Sequence, residues 1–281
     1  MKENALNKQQ IDSYRDHLVR EEHSPETIKK YIRDVQAFFE FLPADKTVSK
    51  EAVMAYKQKL GERYRISSAN SMLAALRSFL QFIGRGECRV KLFRMQRSTF
   101  RDRAKELSRQ EYARLIKAAQ LRHGDRLALL IQTICSTGIR VSEHRFITVE
   151  SLKAGNAQIT NKGRIRTIVL PKELCRRLLQ YCGKRGICTG PVFLSRGGRP
   201  MNRSNIWAQM KQLCGAAGVA PEKVFPHNLR HLFALTFYRL EKDIVRLADI
   251  LGHASVETTR IYTFTCPEEH ARALSKMHLL L

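Results

Sequence analysis

Acidic residues are scarce in this sequence: 26 Asp and Glu face 50 Lys and Arg, a formal net charge of +24 over 281 residues. Long apolar runs are missing too. No stretch reaches the roughly 18 apolar residues of a membrane-spanning helix, the opening MKENALNKQQ lacks the apolar core of a signal peptide, and neither terminus carries a lipidation signal. These absences argue against a membrane-anchored or secreted chain and make the cytoplasm the expected site of action. The seven cysteines, Cys88, Cys135, Cys175, Cys182, Cys188, Cys214 and Cys266, are odd in number and never spaced as C-x-x-C. That spacing argues against zinc-finger and dithiol redox classes and leaves reduced thiols. There is no Walker A loop, no H-E-x-x-H and no cluster of carboxylates, so neither metal nor nucleotide nor any other cofactor is expected.

What is present is positive charge, and it is spread. Residues 1–104 carry 21 basic and 13 acidic side chains, net +8, and residues 105–281 hold the remaining +16. Hydrophobic residues at 43 % and charged residues at 27 % match an ordinary globular protein, so the charge is not that of a disordered tail. A chain this basic in both halves calls for a polyanionic partner, nucleic acid first.

The period of the apolar residues predicts a mainly helical fold. In SPETIKKYIRDVQAFFEFL (24–42), Ser24 can cap, Pro25 suits the first turn, and Ile28, Tyr31, Ile32, Val35, Phe38, Phe39 and Leu42 form one stripe. A second such helix is read at 68–84, ended by Gly84, with weaker ones near 8–22 and 50–60. Residues 1–84 are thus expected to be a four-helix module without strands. The stretch 85–104 has seven basic and two acidic residues and no apolar period, and reads as an inter-domain linker, either a solvated connector or a strap that touches phosphates as it crosses nucleic acid. From 105 to 281 a second domain is expected, opened by the capping box Ser108 to Glu111. It would contain a nearly all-apolar helix at 125–138 ended by Gly138, a hairpin around NKG in AQITNKGRIRTIVLP (157–171), and helices at 228–240 and 243–251.

Four segments of that second domain are polar where a core helix should not be. TGIRVSEHR places Arg140 after a glycine at a helix end with Glu143 three residues on, either a surface ion pair or a paired functional arginine. PHNLRHLF puts His227 and Arg230 on one helical face. His227 and His231, four apart, could ligate a metal, but no glutamate lies between them and Arg230 would repel a cation, so the segment suits an anion. TNKGRIR carries Lys162 at a tight turn. LGHASVETTRIYTF ends one helix at Gly252, directs His253 outward, and carries Tyr262 on a short helix that Ser255 can cap. Together these residues are what a metal-free attack on a phosphodiester requires. Arginines fork two hydrogen bonds onto phosphate oxygens and neutralise charge in the transition state. A histidine accepts the phenol proton, since a phenol of pKa about 10 is a poor nucleophile. The mobile lysine can protonate the leaving sugar oxygen.

In order and spacing the four segments resemble the tyrosine recombinases, the lambda-integrase-type or phage integrase family, in their two-domain Xer-like form. The resemblance covers almost the whole chain and implies a SAM-like core-binding domain at 1–84 followed by a catalytic domain with a small β element. It implies Arg140, Lys162, His227, Arg230 and His253 as the catalytic set around the nucleophile Tyr262, with Glu143 and His231 supporting. It further implies a 3′-phosphotyrosyl intermediate, a Holliday junction, double-stranded DNA gripped by both domains, and a homo-tetramer assembled on that DNA. The segment PEEHARALSKMHLLL could pack onto a neighbouring subunit. An arm-type DNA-binding domain, found in some integrases, is not expected here. His144 and Arg145 stand where the family usually has apolar residues, which leaves packing or a DNA contact there open. Two other readings share much of this evidence: a DNA-binding or architectural protein of the same fold that does not cleave, and a type IB topoisomerase-like enzyme.

Overall fold

The computed structural model describes residues 5–94, 103–161, 164–263, 271–272 and 275–277, in two units, residues 1–97 and 98–281. The first unit is built from α1 (Lys8–Arg20), α2 (Pro25–Phe41), α3 (Lys50–Arg63) and α4 (Ile66–Phe82). Ser24 Oγ accepts the Thr27 N–H at 3.3 Å and Pro25 occupies the first turn, so α2 starts where its capping residues dictate. Its stripe turns inward: Ile32, Val35 and Phe38 are buried in one core with Leu73, Leu76 and Phe79 of α4. Each such side chain contributes about 1.5–3 kcal/mol by leaving water. Asp34, 2 % exposed, interrupts the apolar pattern of α2. Lys30 Nζ at 2.6 Å and Arg33 Nη2 at 2.9 Å compensate its charge, as a buried carboxylate requires.

The expected linker begins as part of this unit. Cys88 and Val90 are buried in its core, Lys50 Nζ donates to the carbonyls of Glu87 and Arg89, and Asn70 exchanges two hydrogen bonds of 2.8 and 2.9 Å with the backbone of Phe93. The missing apolar period at 85–94 reflects irregular backbone held by side chains, rather than a solvated connector. Residues 95–102 of the same stretch lie outside the described residues.

The second unit runs α5 (Arg109–His123), α6 (Asp125–Thr137), α7 (Val149–Ala154), β1 (Asn156–Asn161), β2 (Arg164–Val169), α8 (Lys172–Arg185), α9 (Arg203–Lys211), α10 (Cys214–Ala217), α11 (Pro226–Glu241), α12 (Ile244–Leu251) and α13 (Val256–Thr259). The capping box forms as expected at Ser108 and Glu111. α6 is the central helix: Leu127, Leu130, Ile131 and Ile134 are buried, and α5, α8 and α11 pack around it. β1 and β2 pair antiparallel, Ile159 opposite Arg166 and Ala157 opposite Ile168, so that Arg166 shares the inward face of β2 with Ile168. The architecture is mainly α with one small hairpin. Among the described residues no helix is long and apolar enough to cross a membrane.

Gly138 ends α6 at φ +67°, and an added Cβ would lie 2.5 Å from the ring of Phe233 on α11. Strained backbone and overpacking then act together, each worth about 1–3 kcal/mol. Gly138→Ala is expected to lower the stability of the second unit by about 2–4 kcal/mol, read as a shifted urea midpoint. An unchanged midpoint would mean that α11 gives way freely.

Candidate active site

Three helix ends converge on the site. At the first, the left-handed Gly138 turns the chain out of α6 so that Arg140 begins a 3-10 turn, Val141–Phe146. Glu143 on this turn is 2 % exposed and is shared rather than paired at the surface. Its carboxylate accepts the Arg140 backbone N–H at 2.7 Å and Arg140 Nη1 at 3.1 Å, and it takes a bidentate grip from Arg166, Nη1 at 3.1 Å and Nη2 at 2.7 Å. Burial alone would raise the Glu143 carboxyl, but the bonds from Arg140 and Arg166 hold it below its ordinary value. Arg166 was not among the residues singled out from the sequence. It anchors the hairpin to Glu143, and its guanidinium lies against Gly252, where a Cβ would approach Nη1 to 2.5 Å. Lys162, on the turn of this hairpin, lies outside the described residues.

The second end is the start of α11, where Pro226 fixes the first turn and His227 faces a cleft of about 510 Å³. Arg230, one turn further, is 2 % exposed. Its fork donates from Nη1 to the Gly138 carbonyl and from Nη2 to the Leu251 carbonyl, both at 2.7 Å, so it joins the C-terminal ends of α6 and α12. Carbonyls at helix ends have no partner within the helix and carry the negative end of the dipole, which suits a cation. Burial, then Arg140 nearby, brings the Arg230 guanidinium down to about 10, still charged at neutral pH.

The third end is α12, closed by the left-handed Gly252, whose carbonyl accepts Arg140 Nη2 at 3.3 Å. His253 follows. Its Nε2 lies 3.1 Å from Arg230 Nη2 and its Nδ1 lies 2.7 Å from Thr259 Oγ1. Ser255 caps α13 as expected, and a 3-10 turn, Arg260–Tyr262, completes the segment. Tyr262 is 2 % exposed and sits among Leu235, Leu247 and Leu251, its ring stacked on His253 with centroids 6.5 Å apart and tilted against His231 at 5.1 Å. His231 Nε2 is 3.7 Å from Glu106 Oε1. Tyr262 is therefore neither simple filler nor remote: burial raises its phenol above the ordinary value, while Arg230 and Arg140 oppose that shift.

Both cleft histidines are neutral at pH 7. Loss of solvation, followed by Arg230, His231, Arg140 and Arg203, lowers His227, and loss of solvation, followed by Arg230, Arg140, Arg166 and His227, brings His253 to about 4. Such a site is built for an anionic group: the guanidiniums of Arg140 and Arg230 and two neutral imidazoles line one cleft. Arg203 and Trp207 of α9 also line the cleft. They escaped the sequence reading because no local pattern marks them: Arg203 and Trp207 lie on the same side of α9 as buried Ile206 and Met210, at the border between core and cleft. His144 resolves the doubt over that position: it is 3 % exposed, its Nδ1 bonds to the Val141 carbonyl, and its ring packs near Phe193, so it serves as core. Arg145 is exposed over the ring of Phe146.

The comparisons with known proteins agree with this geometry. The "Phage integrase family" pattern matches residues 105–268, and the "Phage integrase, N-terminal SAM-like domain" pattern matches residues 11–86. The tyrosine recombinase XerC of Pelobacter propionicus is 29 % identical over 294 residues, covering 96 % of this chain and 95 % of that protein. The tyrosine recombinase XerA of Pyrococcus furiosus is 26 % identical, covering 100 % of this chain and 98 % of that protein. In fold the chain is similar to a lambda integrase tetramer bound to a Holliday junction, with TM-score 0.70, 17 % identity, and coverage of 89 % of this chain and 76 % of that one. Since the first pattern spans more than half of the residues and carries the whole assembled site, the chain belongs to the phage integrase family, the tyrosine recombinases.

Proposed function

We propose that the chain cleaves and rejoins duplex DNA at a specific recombination site, with Tyr262 as nucleophile. The observation that carries this is the seating of Tyr262 against Arg230 and His253 within one unit. The phenol oxygen attacks the scissile phosphorus and the bond from phosphorus to the 5′ oxygen breaks. The phenol proton passes to neutral His227, and Lys162 delivers a proton to the 5′ oxygen. Arg140 and Arg230 hold the non-bridging oxygens and stabilise the charge that develops there, while His253 donates a hydrogen bond to one of them. The product is a 3′-phosphotyrosyl ester and a free 5′ hydroxyl. The 5′ hydroxyl of a partner strand reverses the same steps, so bond energy is conserved on the enzyme without ATP or metal.

Residues 1–84 and the basic stretch 85–104 are assigned to binding duplex DNA, and 105–281 to the chemistry. Two rounds of exchange through a Holliday junction require four copies on DNA, and exchange of the segment that follows Tyr262 between neighbours would link them. Such a reaction belongs in the cytoplasm, where bacterial or archaeal DNA lies. The test is a nicked duplex carrying the recombination site, on which protein should become covalently attached to the 3′ end. Lys162→Ala is expected to lower cleavage by roughly 10²–10⁴-fold, the scale of a general acid. A 5′-bridging phosphorothiolate, whose sulfur leaves without a proton, should restore the rate. Failure of that rescue removes Lys162 from the role.

A further inference from the structure

The ring of His253 is held at both nitrogens, and the two partners differ in kind. Nε2 faces Arg230 Nη2 at 3.1 Å, and a guanidinium offers only N–H donors, so Nε2 is the acceptor in this arrangement. The single proton of the neutral ring then sits on Nδ1 and is donated to Thr259 Oγ1 at 2.7 Å. The role proposed for His253 above needs the reverse. A phosphate oxygen only accepts, so Nε2 must carry the proton, and Nδ1, now bare, needs a donor.

A backbone group could not serve both arrangements. A carbonyl only accepts and an amide only donates, whereas a hydroxyl does either by rotating about its C–O bond. His144 in the same unit shows the fixed case: its Nδ1 lies against the Val141 carbonyl, which admits one tautomer. Thr259 is 0 % exposed, so water does not stand in for its hydroxyl, and it lies at the end of α13, directly before the turn that carries Tyr262.

We infer that Thr259 is a positioning residue whose buried hydroxyl changes from acceptor to donor, allowing His253 to present Nε2–H to the scissile phosphate. The inference rests on the recombinase reading of His253 given above. Protons balance: the half-buried ring turns out of its contact with Thr259 to exchange in the cleft, where Nδ1 releases one proton to water and Nε2 takes one from it, so the ring stays neutral and Thr259 keeps its own. Burial, followed by the charges of Arg230, Arg140 and Arg166, disfavours the imidazolium, and neither neutral His227 nor the ring of Tyr262 stacked on it offers a compensating anion. A neutral exchange of tautomers is the route left open.

The test combines kinetics with a spectroscopic readout. Thr259→Val keeps the shape and removes the hydroxyl, and single-turnover cleavage of the nicked duplex should fall roughly 10- to 100-fold, the scale at which a supporting hydrogen bond to a functional histidine acts. Thr259→Ser keeps the hydroxyl and should cleave close to the wild-type rate. In a His253→Gln background, where an amide N–H donates without any tautomer, Thr259→Val should cost nothing further. An equal loss in both backgrounds would reduce Thr259 to a packing residue and overturn the inference. In 15N-histidine-labelled protein, with His253 assigned by its loss in His253→Gln, the unprotonated nitrogen should be Nε2 in the protein alone and Nδ1 when site DNA is added to Tyr262→Phe. An unchanged tautomer, or a ring protonated at both nitrogens, also overturns it, and the Tyr262→Phe spectra decide even where Thr259→Val folds poorly. Wild-type protein that forms no adduct would sink the recombinase reading itself. Wild-type adduct with Thr259→Val at full rate sinks only the role of Thr259.

Discussion

Tyr262→Phe forms no covalent adduct with a nicked duplex carrying the recombination site, and its cleavage rate falls by roughly 10⁴-fold or more, as for loss of a covalent nucleophile. The phenol is pushed above its ordinary value by burial, so less than about 1 % is phenolate at pH 7.5, and a base must take the proton as attack proceeds. His227, held neutral by the cleft and its cations, is in the right state to do so. Two buried tyrosines of the first unit lack this setting. Tyr14 and Tyr56 are raised to about 12 by burial, and neither has an arginine among the groups that act on it. The variant removes one oxygen and leaves the ring packed against His231 and His253, so DNA affinity at fixed salt and thermal stability should stay near wild type. Denaturing gels of the trapped complex and filter binding separate the two effects. An adduct that persists in Tyr262→Phe would place the nucleophile elsewhere.

Helices with a capping residue, a continuous apolar stripe and a terminal glycine were legible in the sequence. α6 runs from Asp125 to Thr137 and stops at Gly138, as its composition dictates, because only a glycine takes the left-handed turn at low cost. The grouping of the candidate residues was legible for a related reason: an arginine or a histidine set into apolar surroundings needs a partner, and Arg140, His227, Arg230 and His253 all line one cleft.

What the sequence did not disclose depends on distances across the chain. Glu143 looked like the partner of Arg140 three residues away, but its carboxylate also holds Arg166, 23 residues on, and no local pattern encodes that. Arg166 alternates with exposed Ile165 on a hairpin, where an arginine would ordinarily point to water. Asp34 lies on the same helix as a strong apolar stripe, and its burial is tolerable only because Lys30 and Arg33 reach it. Residues 85–94 were misleading in the other direction. Charge and lack of period suggested a solvated linker, while two side chains, Lys50 and Asn70, fold that segment onto the first unit by bonding its backbone. Thr259 stayed hidden because its importance lies in which nitrogen of His253 it meets.

Arg230 is where chemistry and stability are joined, and two substitutions separate them. The guanidinium spans the Gly138 and Leu251 carbonyls, each 2.7 Å away, while lying beside the ring of His253. Arg230→Ala leaves both carbonyls buried without a donor and opens a cavity, and is expected to cost about 3–5 kcal/mol of stability. Cleavage by the fraction that remains folded should fall at least roughly 10³-fold, since a charge-stabilising donor to the transition state is gone. Arg230→Lys keeps the charge, so DNA affinity at fixed salt should hardly move. One ammonium cannot span two carbonyls and a phosphate oxygen with the geometry of a planar fork, and cleavage should still fall roughly 10²–10³-fold. The burial and the nearby Arg140 that bring the wild-type group down to about 10 would act on a lysine as well, so the Arg230→Lys rate is followed as pH is lowered, and a deficit that persists is geometric and not one of protonation. Urea unfolding and single-turnover cleavage at saturating protein read the two losses independently. If Arg230→Lys cleaves within a few-fold of wild type, charge alone suffices and the fork that joins α6 to α12 is structural, which would move the burden of holding the phosphate onto Arg140.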